Sequence, residues 1–108
     1  MSVKITKWDL AETFRDAADM SHYLDTVLAE AAETGDYTLL PDALGAIARA
    51  KGMTDIAQET GLSRESLYKA LSEDGNPSFA TVMKVLQALS IELRTQAKSD
   101  EKSGHEAA

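Results

Sequence analysis

The stretch that decides the fold is Met53–Ser72, which reads MTDIAQETGLSRESLYKALS. Its first eight residues have their apolar side chains at helical spacing and predict one short helix, Met53–Thr60. Gly61 follows at the position where a helix commonly ends on a left-handed residue. Ser63 is a good N-cap, because its hydroxyl can accept from an amide at the start of a second helix. The stretch therefore predicts a helix, a tight turn and a second helix.

The second helix is predicted to run to about Leu71 and to have two different sides. Leu67, Ala70 and Leu71 fall on one side, which can pack against the rest of the protein. The other side is polar and free to enter a groove. This is the pattern of a helix-turn-helix, in which the second helix lies in the major groove of DNA. An ordinary helical hairpin with the same loop sequence is the alternative.

Polar side chains of this motif are the predicted DNA contacts. They are Thr54, Ser63, Arg64, Glu65, Ser66, Tyr68, Lys69 and Ser72. Arg64 lies one residue past the N-cap, where it can reach a base edge such as guanine. Lys69 comes more than one turn later and is placed for phosphate. Glu65 can accept from cytosine or hold Arg64.

Three further helices are predicted around the motif, and each has a capping residue and an apolar stripe. Their spans are Asp16–Thr34, from Asp36 or Thr38 to Gly52, and from Ser78 to about Leu89. The stripes place Leu24, Leu28, Phe79 and Met83 inward. Pro41 fits only because it falls in the first turn of its helix.

The predicted fold class is all-α, a five-helix helix-turn-helix domain. Residues 1–96 form this single domain, with an acidic helical extension at the N-terminal side, and residues 97–108 are predicted to be a disordered tail. Short alternations at Val3–Ile5 and Ile91–Thr95 leave terminal β-strands open as an alternative to coil. A lone strand would have to pair with the other stretch or with a second chain.

Composition excludes several classes of site. The chain of 108 residues has room for one domain, and it lacks cysteine, which removes disulfides, thiol catalysis and the commonest zinc sites. The two histidines, His22 and His105, are far apart in sequence. We therefore expect no metal and no cofactor. Although Ser63, Ser66 and Tyr68 are near one another, no histidine is placed to activate them, so we expect no enzyme.

The N-terminus has no signal-peptide core, and no apolar run approaches the length of a membrane span, so we expect a cytoplasmic protein without a membrane partner.

The net charge of −7 is unusual for a protein that binds DNA. Residues 1–40 carry eight acidic and three basic side chains, whereas residues 41–71 carry four of each. One neutral recognition unit neutralises few phosphates, so we expect a homodimer on a palindromic site. The candidate contact between the two copies is the pairing of Ile91 and Leu93 with Val3 and Ile5.

The run Gly45–Leu93 resembles the antidote proteins of addiction modules, within the Cro-repressor-like helix-turn-helix group. The resemblance is densest in GLSRESLYKALSEDGNPSF, and the preceding AADMSHYLDTVLAEAAETGDYTLLPDAL is similar to the acidic N-terminal half of that family. It covers about residues 8–93. Two positions depart from the family pattern: Pro41 interrupts a plain helix, and Ser90 replaces the usual glycine.

This resemblance implies an antitoxin of a type II toxin-antitoxin pair. The implied partners are a small basic toxin of the RelE type, which cleaves messenger RNA on the ribosome, and double-stranded operator DNA of the antitoxin's own operon, which it represses. A free-standing repressor without a toxin is one alternative. A module that binds only protein is another.

The acidic segment from about Trp8 to Tyr37 is predicted to neutralise the toxin, because a protein that binds ribosomal RNA is itself basic. Its candidate anchors are the large side chains Trp8, Phe14, Tyr23 and Leu24. The alternative is that the acidic helix face is simply solvated and that Trp8 and Phe14 only close the protein's own core.

Overall fold

The computed structural model describes residues 16–98, and this part of the chain contains five α-helices. They are α1 (Ala17–Thr34), α2 (Leu39–Lys51), α3 (Met53–Thr60), α4 (Arg64–Ala70) and α5 (Phe79–Ala88). Helix α1 packs against α2, α2 packs against α3, and α3 packs against both α4 and α5. The predicted all-α, five-helix class is confirmed, and the short helix α3 lies at the centre of its packing.

The predicted capping residues mark the ends of α1 and α5. The Asp16 carboxylate accepts from the amide of Asp19 at 3.0 Å and begins α1. The Ser78 hydroxyl accepts from the amide of Thr81 at 3.1 Å and begins α5 in the same way. Gly35 has a φ of +78°, the left-handed conformation that ends a helix, and its amide donates to the last turn of α1.

The start of α2 depends on Asp36 rather than on Thr38. Thr38 precedes the helix, but its side chain accepts no cap hydrogen bond. Instead, the Asp36 carboxylate accepts from the Thr38 hydroxyl at 2.6 Å and from the Thr38 amide at 3.3 Å. Pro41 is the third residue of α2 and is buried. Its missing amide hydrogen costs nothing there, because the first turn of a helix has no carbonyl for it to bond.

The core receives side chains from each of the five helices. The largest side chains that are fully buried in residues 16–98 are Leu44, Ile47, Ile56, Leu67, Leu71, Val85 and Leu89. Met20 and Leu24 of α1 join the same cluster. Leu67 is part of α4, and Leu71 is the residue that ends it. The helix predicted to read DNA is therefore anchored in the core by both side chains.

Three apolar residues predicted to face inward are exposed. Phe79 and Met83 of α5 are 70% and 38% exposed, and Leu28 of α1 is 39% exposed. The buried face of α5 is centred on Val85. At 3.6 residues per turn, Met83 points roughly 160° and Phe79 roughly 120° away from Val85. The buried face of α5 is therefore rotated about the helix axis relative to the predicted one. In α1, Leu28 lies at the edge of the buried face.

The chain after α5 is not a strand. Residues 91–98 have no regular secondary structure, and no strand occurs among residues 16–98, so the strand alternative is wrong for Ile91–Thr95. The other proposed strand, Val3–Ile5, lies outside the described residues. The predicted disordered tail, residues 97–108, also lies outside the described residues except for Ala97 and Lys98.

Helix α5 ends in a Schellman motif centred on Ser90. The amide of Ser90 donates to the carbonyl of Gln87 at 3.0 Å, and the amide of Ile91 donates to the carbonyl of Leu86 at 2.9 Å. This motif requires a left-handed residue, and Ser90 has a φ of +61°. Glycine adopts this conformation without strain, whereas a residue with a Cβ atom such as serine rarely does.

Gly45 allows α2 to approach the end of α4. It is a buried residue of α2, and a Cβ atom there would overlap the carbonyl oxygen of Leu71. The same Cβ atom would lie 2.8 Å from Nη1 of Arg49. The obstructing group is backbone, which cannot move aside as a flexible side chain would. A glycine at this position therefore sets the distance between the two helices.

We predict that Gly45→Ala destabilises the protein although alanine is the better helix former. Helix propensity alone would raise the free energy of unfolding by up to about 1 kcal/mol. Forcing a methyl group into a packed contact costs about 1–3 kcal/mol, so the net change is a loss measurable by urea denaturation. Gln87→Ala on the exposed side of α5 is the control and stays within about 0.5 kcal/mol of wild type. Equal or higher stability for Gly45→Ala would contradict the close approach.

Candidate nucleic-acid interface

The turn between α3 and α4 is held by hydrogen bonds that its own residues make. Gly61 has a φ of +77°, and its amide donates to the carbonyl of Ala57 at 2.9 Å. The hydroxyl of Thr60 donates to the carbonyl of Ile56 at 2.8 Å and accepts from the amide of Leu62 at 3.3 Å. Thr60 is buried, so these bonds also satisfy its polar side chain.

Helix α4 begins at the cap that the sequence predicts. The Ser63 hydroxyl accepts from the amide of Ser66 at 3.0 Å and donates to the Ser66 hydroxyl at 2.9 Å. The backbone of Ser63 is extended, with φ −77° and ψ 154°, as an N-cap requires. This cap fixes where the helix starts and therefore which side chains fall on each side of it.

Helix α4 has one buried side and one exposed side. Leu67 and Leu71 have no exposed surface. The predicted DNA contacts Arg64, Glu65, Ser66, Tyr68 and Lys69 are all exposed. The helix thus presents two cations, one carboxylate and one aromatic ring to solvent. Such a face can meet phosphates with its cations and base edges with its hydrogen-bonding side chains.

The predicted contacts that lie beyond α4 differ in their positions. Ser72, just after the helix, is half-buried, and its hydroxyl donates to the carbonyl of Lys69 at 3.0 Å. Thr54 is exposed in the first turn of α3, outside the group on α4. The structure therefore places seven of the eight predicted residues on α4 or directly beside it.

Sequence reasoning missed Arg49, which belongs to the last turn of α2. Its Nη2 atom donates to the carbonyl of Leu71 at 3.5 Å, and its Cζ atom lies 5.5 Å from the centroid of the Tyr68 ring. The Cζ atom of Arg64 lies 5.8 Å from the same centroid. The signal in the sequence was Gly45, four residues before Arg49 and hence on the same face of α2, which marks a close approach by another segment.

The residues predicted to bind the toxin are only partly accessible. Leu24 is 5% exposed and belongs to the core, as its place in the apolar stripe of α1 predicts, so it has little surface to offer a toxin. Tyr23 is half-buried and packs against the core. Burial raises the pKa of the Tyr23 hydroxyl, and the carboxylates of Asp42 and Glu30 raise it further. Trp8 and Phe14 lie outside the described residues.

Helix α1 is acidic on its exposed surface. Its carboxylates are Asp19, Asp25, Glu30 and Glu33, all of them exposed, and the helix contains no lysine or arginine. The electrostatic character of α1 is therefore opposite to that of the exposed side of α4 and the adjacent Arg49.

A cavity of about 130 Å³ lies between α1, α2 and the end of α5. Its lining is Asp16, Ala17, Met20, Ile47, Ala50, Lys51, Leu89 and Ser90. None of the predicted DNA-binding residues is among them. Among residues 16–98, no cluster of three histidine, aspartate or glutamate side chains is arranged to hold a metal ion. In the same range, none of the helices combines the length and apolarity needed to cross a lipid bilayer.

The fold and the exposed face of α4 define a small protein that is helical over residues 16–98 and whose helix α1 is acidic. A family model described as "Probable addiction module antidote protein" matches residues 4–97. A protein of Haemophilus influenzae strain Rd, described as uncharacterized, is 44% identical over 96 residues, which are 89% of this chain and 95% of that protein. No solved structure matches the chain. The chain therefore belongs to the family of addiction module antidotes, and membership implies an antitoxin role with a toxin as partner.

Proposed function

We propose that this protein is the antitoxin of a type II pair, that it neutralises a RelE-type toxin, and that it represses its own operon in the cytoplasm. The operator is bound through α3 and α4 acting as a helix-turn-helix. The observation that carries the proposal is the two-sided α4, which buries Leu67 completely while it exposes Arg64, Tyr68 and Lys69. We assign no enzymatic step to this chain.

The order of side chains along α4 supports a recognition helix. Residues in the first turn of such a helix contact base edges. Arg64 is the first residue of α4, and its guanidinium can donate two parallel hydrogen bonds to guanine. Lys69 is in the last turn, where a flexible point charge suits a phosphate oxygen. Ser63 and Ser66 are already hydrogen-bonded to each other, so we give them the smaller share of the contact.

A homodimer follows from the charge of the recognition unit. With few cations per chain, two copies are needed to collect enough phosphate contacts, and their recognition helices would lie about 34 Å apart. Because residues 91–98 do not form a strand, we propose α5 as the contact between the two copies in place of paired strands. Phe79 and Met83 are one helical turn apart on its exposed side, and large apolar side chains exposed together commonly mark a protein interface.

The toxin is bound by the acidic surface of α1. A toxin that acts on ribosomal RNA carries basic groups, and four exposed carboxylates without a cation on α1 attract them. Since charge steers association but gives little specificity, apolar groups must also take part. Leu28 is exposed on the same helix, and Tyr37 is 71% exposed just beyond it. They replace Leu24 as candidate anchors within the described residues.

We predict different effects for the two cations of α4 on binding to the upstream operator DNA. Arg64→Ala weakens operator binding by about 1–3 kcal/mol and relaxes one base position. Lys69→Ala weakens binding to every sequence alike and lowers the salt slope by about one. Fluorescence titration at several salt concentrations measures both. Lys84→Ala, an exposed cation of α5, is the control. Unchanged operator affinity for Arg64→Ala would refute its assignment.

We predict that Phe79→Ser combined with Met83→Ser lowers dimer affinity, because the substitutions remove the apolar area that the two copies bury. Analytical ultracentrifugation at micromolar concentration measures the dimer fraction. The control is Leu28→Ser, an exposed leucine on α1. A wild-type protein that sediments only as a monomer, with and without DNA, rules out the homodimer. A dimer unaffected by the double substitution rules out this interface.

We predict that Asp25→Asn combined with Glu33→Gln slows association with the toxin encoded beside this chain by about three- to tenfold at low salt, because steering depends on charge. The control pair, Asp74→Asn with Glu73→Gln, removes the same charge from the turn after α4. Both substituted residues of α1 are exposed, so its packing on the core through Met20 is unchanged. Stopped-flow kinetics that show equal slowing for both pairs would place the toxin site elsewhere.

A further inference from the structure

Arg49 connects the buried contact between α2 and α4 with the exposed side of α4. Its Nη2 atom donates to the Leu71 carbonyl at 3.5 Å, at the carboxyl end of α4 where a cation is favoured by the helix dipole. Its side chain is half-buried, and Gly45, one turn earlier, leaves the space that brings Leu71 this close. Arg49 is thus attached to the end of α4 although it belongs to another helix.

Tyr68 is shared between Arg49 and Arg64. The two guanidinium carbons lie 5.5 Å and 5.8 Å from the centroid of its ring, within the range of a cation–π interaction. Arg64 and Tyr68 are four residues apart on α4, so their side chains lie on the same face. Tyr68 is 40% exposed, so part of it is open to solvent. A continuous series of contacts therefore runs from Leu71 through Arg49 and Tyr68 to Arg64.

An arginine at the start of a recognition helix has many rotamers, and binding a base restricts it to one. A fixed aromatic ring beside it reduces that entropic cost before DNA arrives. Tyr68 can serve as a fixed ring only if its own rotamer is held. The guanidinium of Arg49, whose Cζ atom lies 5.5 Å from the ring centroid, holds it, since a planar charged group is suited to the face of a ring.

We propose that Arg49 is a positioning residue that holds Tyr68, and through it Arg64, in the orientation that reads the operator. This inference rests on the proposed DNA-binding function of α4. It assigns to Arg49 an effect on sequence discrimination rather than a phosphate contact. A phosphate contact needs only a positive charge, whereas positioning needs the planar guanidinium, and this difference makes the two roles separable.

The test compares Arg49→Lys with Arg49→Met in the full-length protein, and Lys51→Met at the exposed end of α2 is the control. Without DNA, NMR follows the Arg64 side-chain signals, which the Tyr68 ring current shifts. We expect both Arg49 variants to move these signals, and the control to leave them in place. With DNA, we expect the ratio of affinities for operator and scrambled duplex to fall about three- to tenfold in both Arg49 variants. A loss of this size matches the entropic cost of immobilising one long side chain. The salt slope is unchanged for Arg49→Lys.

Other outcomes overturn the inference. If Arg49→Lys restores discrimination and only Arg49→Met lowers the salt slope by about one, Arg49 is a phosphate contact. If the Arg64 signals do not move in either variant, Arg49 does not position Arg64, whether or not DNA binds. If wild-type protein binds no duplex, the proposed function fails, and the NMR comparison still decides the positioning.

A second variant covers the case in which the Arg49 variants are too unstable for measurement. Tyr68→Leu interrupts the series of contacts without touching the Leu71 carbonyl. It is expected to shift the Arg64 signals and lower discrimination to the same degree as Arg49→Lys. The two substitutions together add nothing further, because residues that act through one another are not additive. Full additivity of the pair would contradict the proposal.

Discussion

A helix as short as α4 does not persist in water by itself. It spans Arg64–Ala70, well under the dozen or so residues that even a favourable isolated helix needs. Its existence depends on the burial of Leu67 and Leu71 in the core that α2, α3 and α5 complete. The side chains on the exposed side of α4 therefore keep their arrangement only while the buried side of the helix stays packed. A change that loosens Leu71, such as crowding at Gly45, would alter the surface without touching a surface residue.

Local signals in the sequence predicted most of the fold. The N-caps Asp16, Ser63 and Ser78 were identified from hydroxyl or carboxylate side chains that precede apolar runs, and all three accept the expected amide hydrogen bond. Gly61 was identified from its place after a short helix, and it is left-handed. These features involve residues within four positions of one another, which is why a single sequence is sufficient to reveal them.

Rotation and long-range contact were harder to predict. Periodicity showed that α5 is amphipathic, but several apolar residues allowed more than one choice of buried side, and the structure selects Val85 over Met83. In α1 the same periodicity predicts both Leu24 and Leu28 inward, and the structure buries Leu24 in the core but leaves Leu28 exposed at the edge of the stripe. The contact between Arg49 and Tyr68 joins residues 19 positions apart, and although Gly45 marks a close approach to α2, it does not indicate which residue comes close. Only the crossing of α2 and α4 brings them together.

The cavity at the edge of the domain has a topological meaning. Asp16 and Ser90 both line it, and they are the residues that directly precede α1 and directly follow the cap of α5. The two ends of the described five-helix bundle, before α1 and after α5, thus lie beside the same cavity. A short peptide could join these two positions and make the five helices a closed ring, with new ends opened in the Gly75 turn. A group attached at Asp16 or at Ser90 would lie beside this cavity, and the exposed face of α4, which contributes nothing to the cavity, would keep its access to solvent.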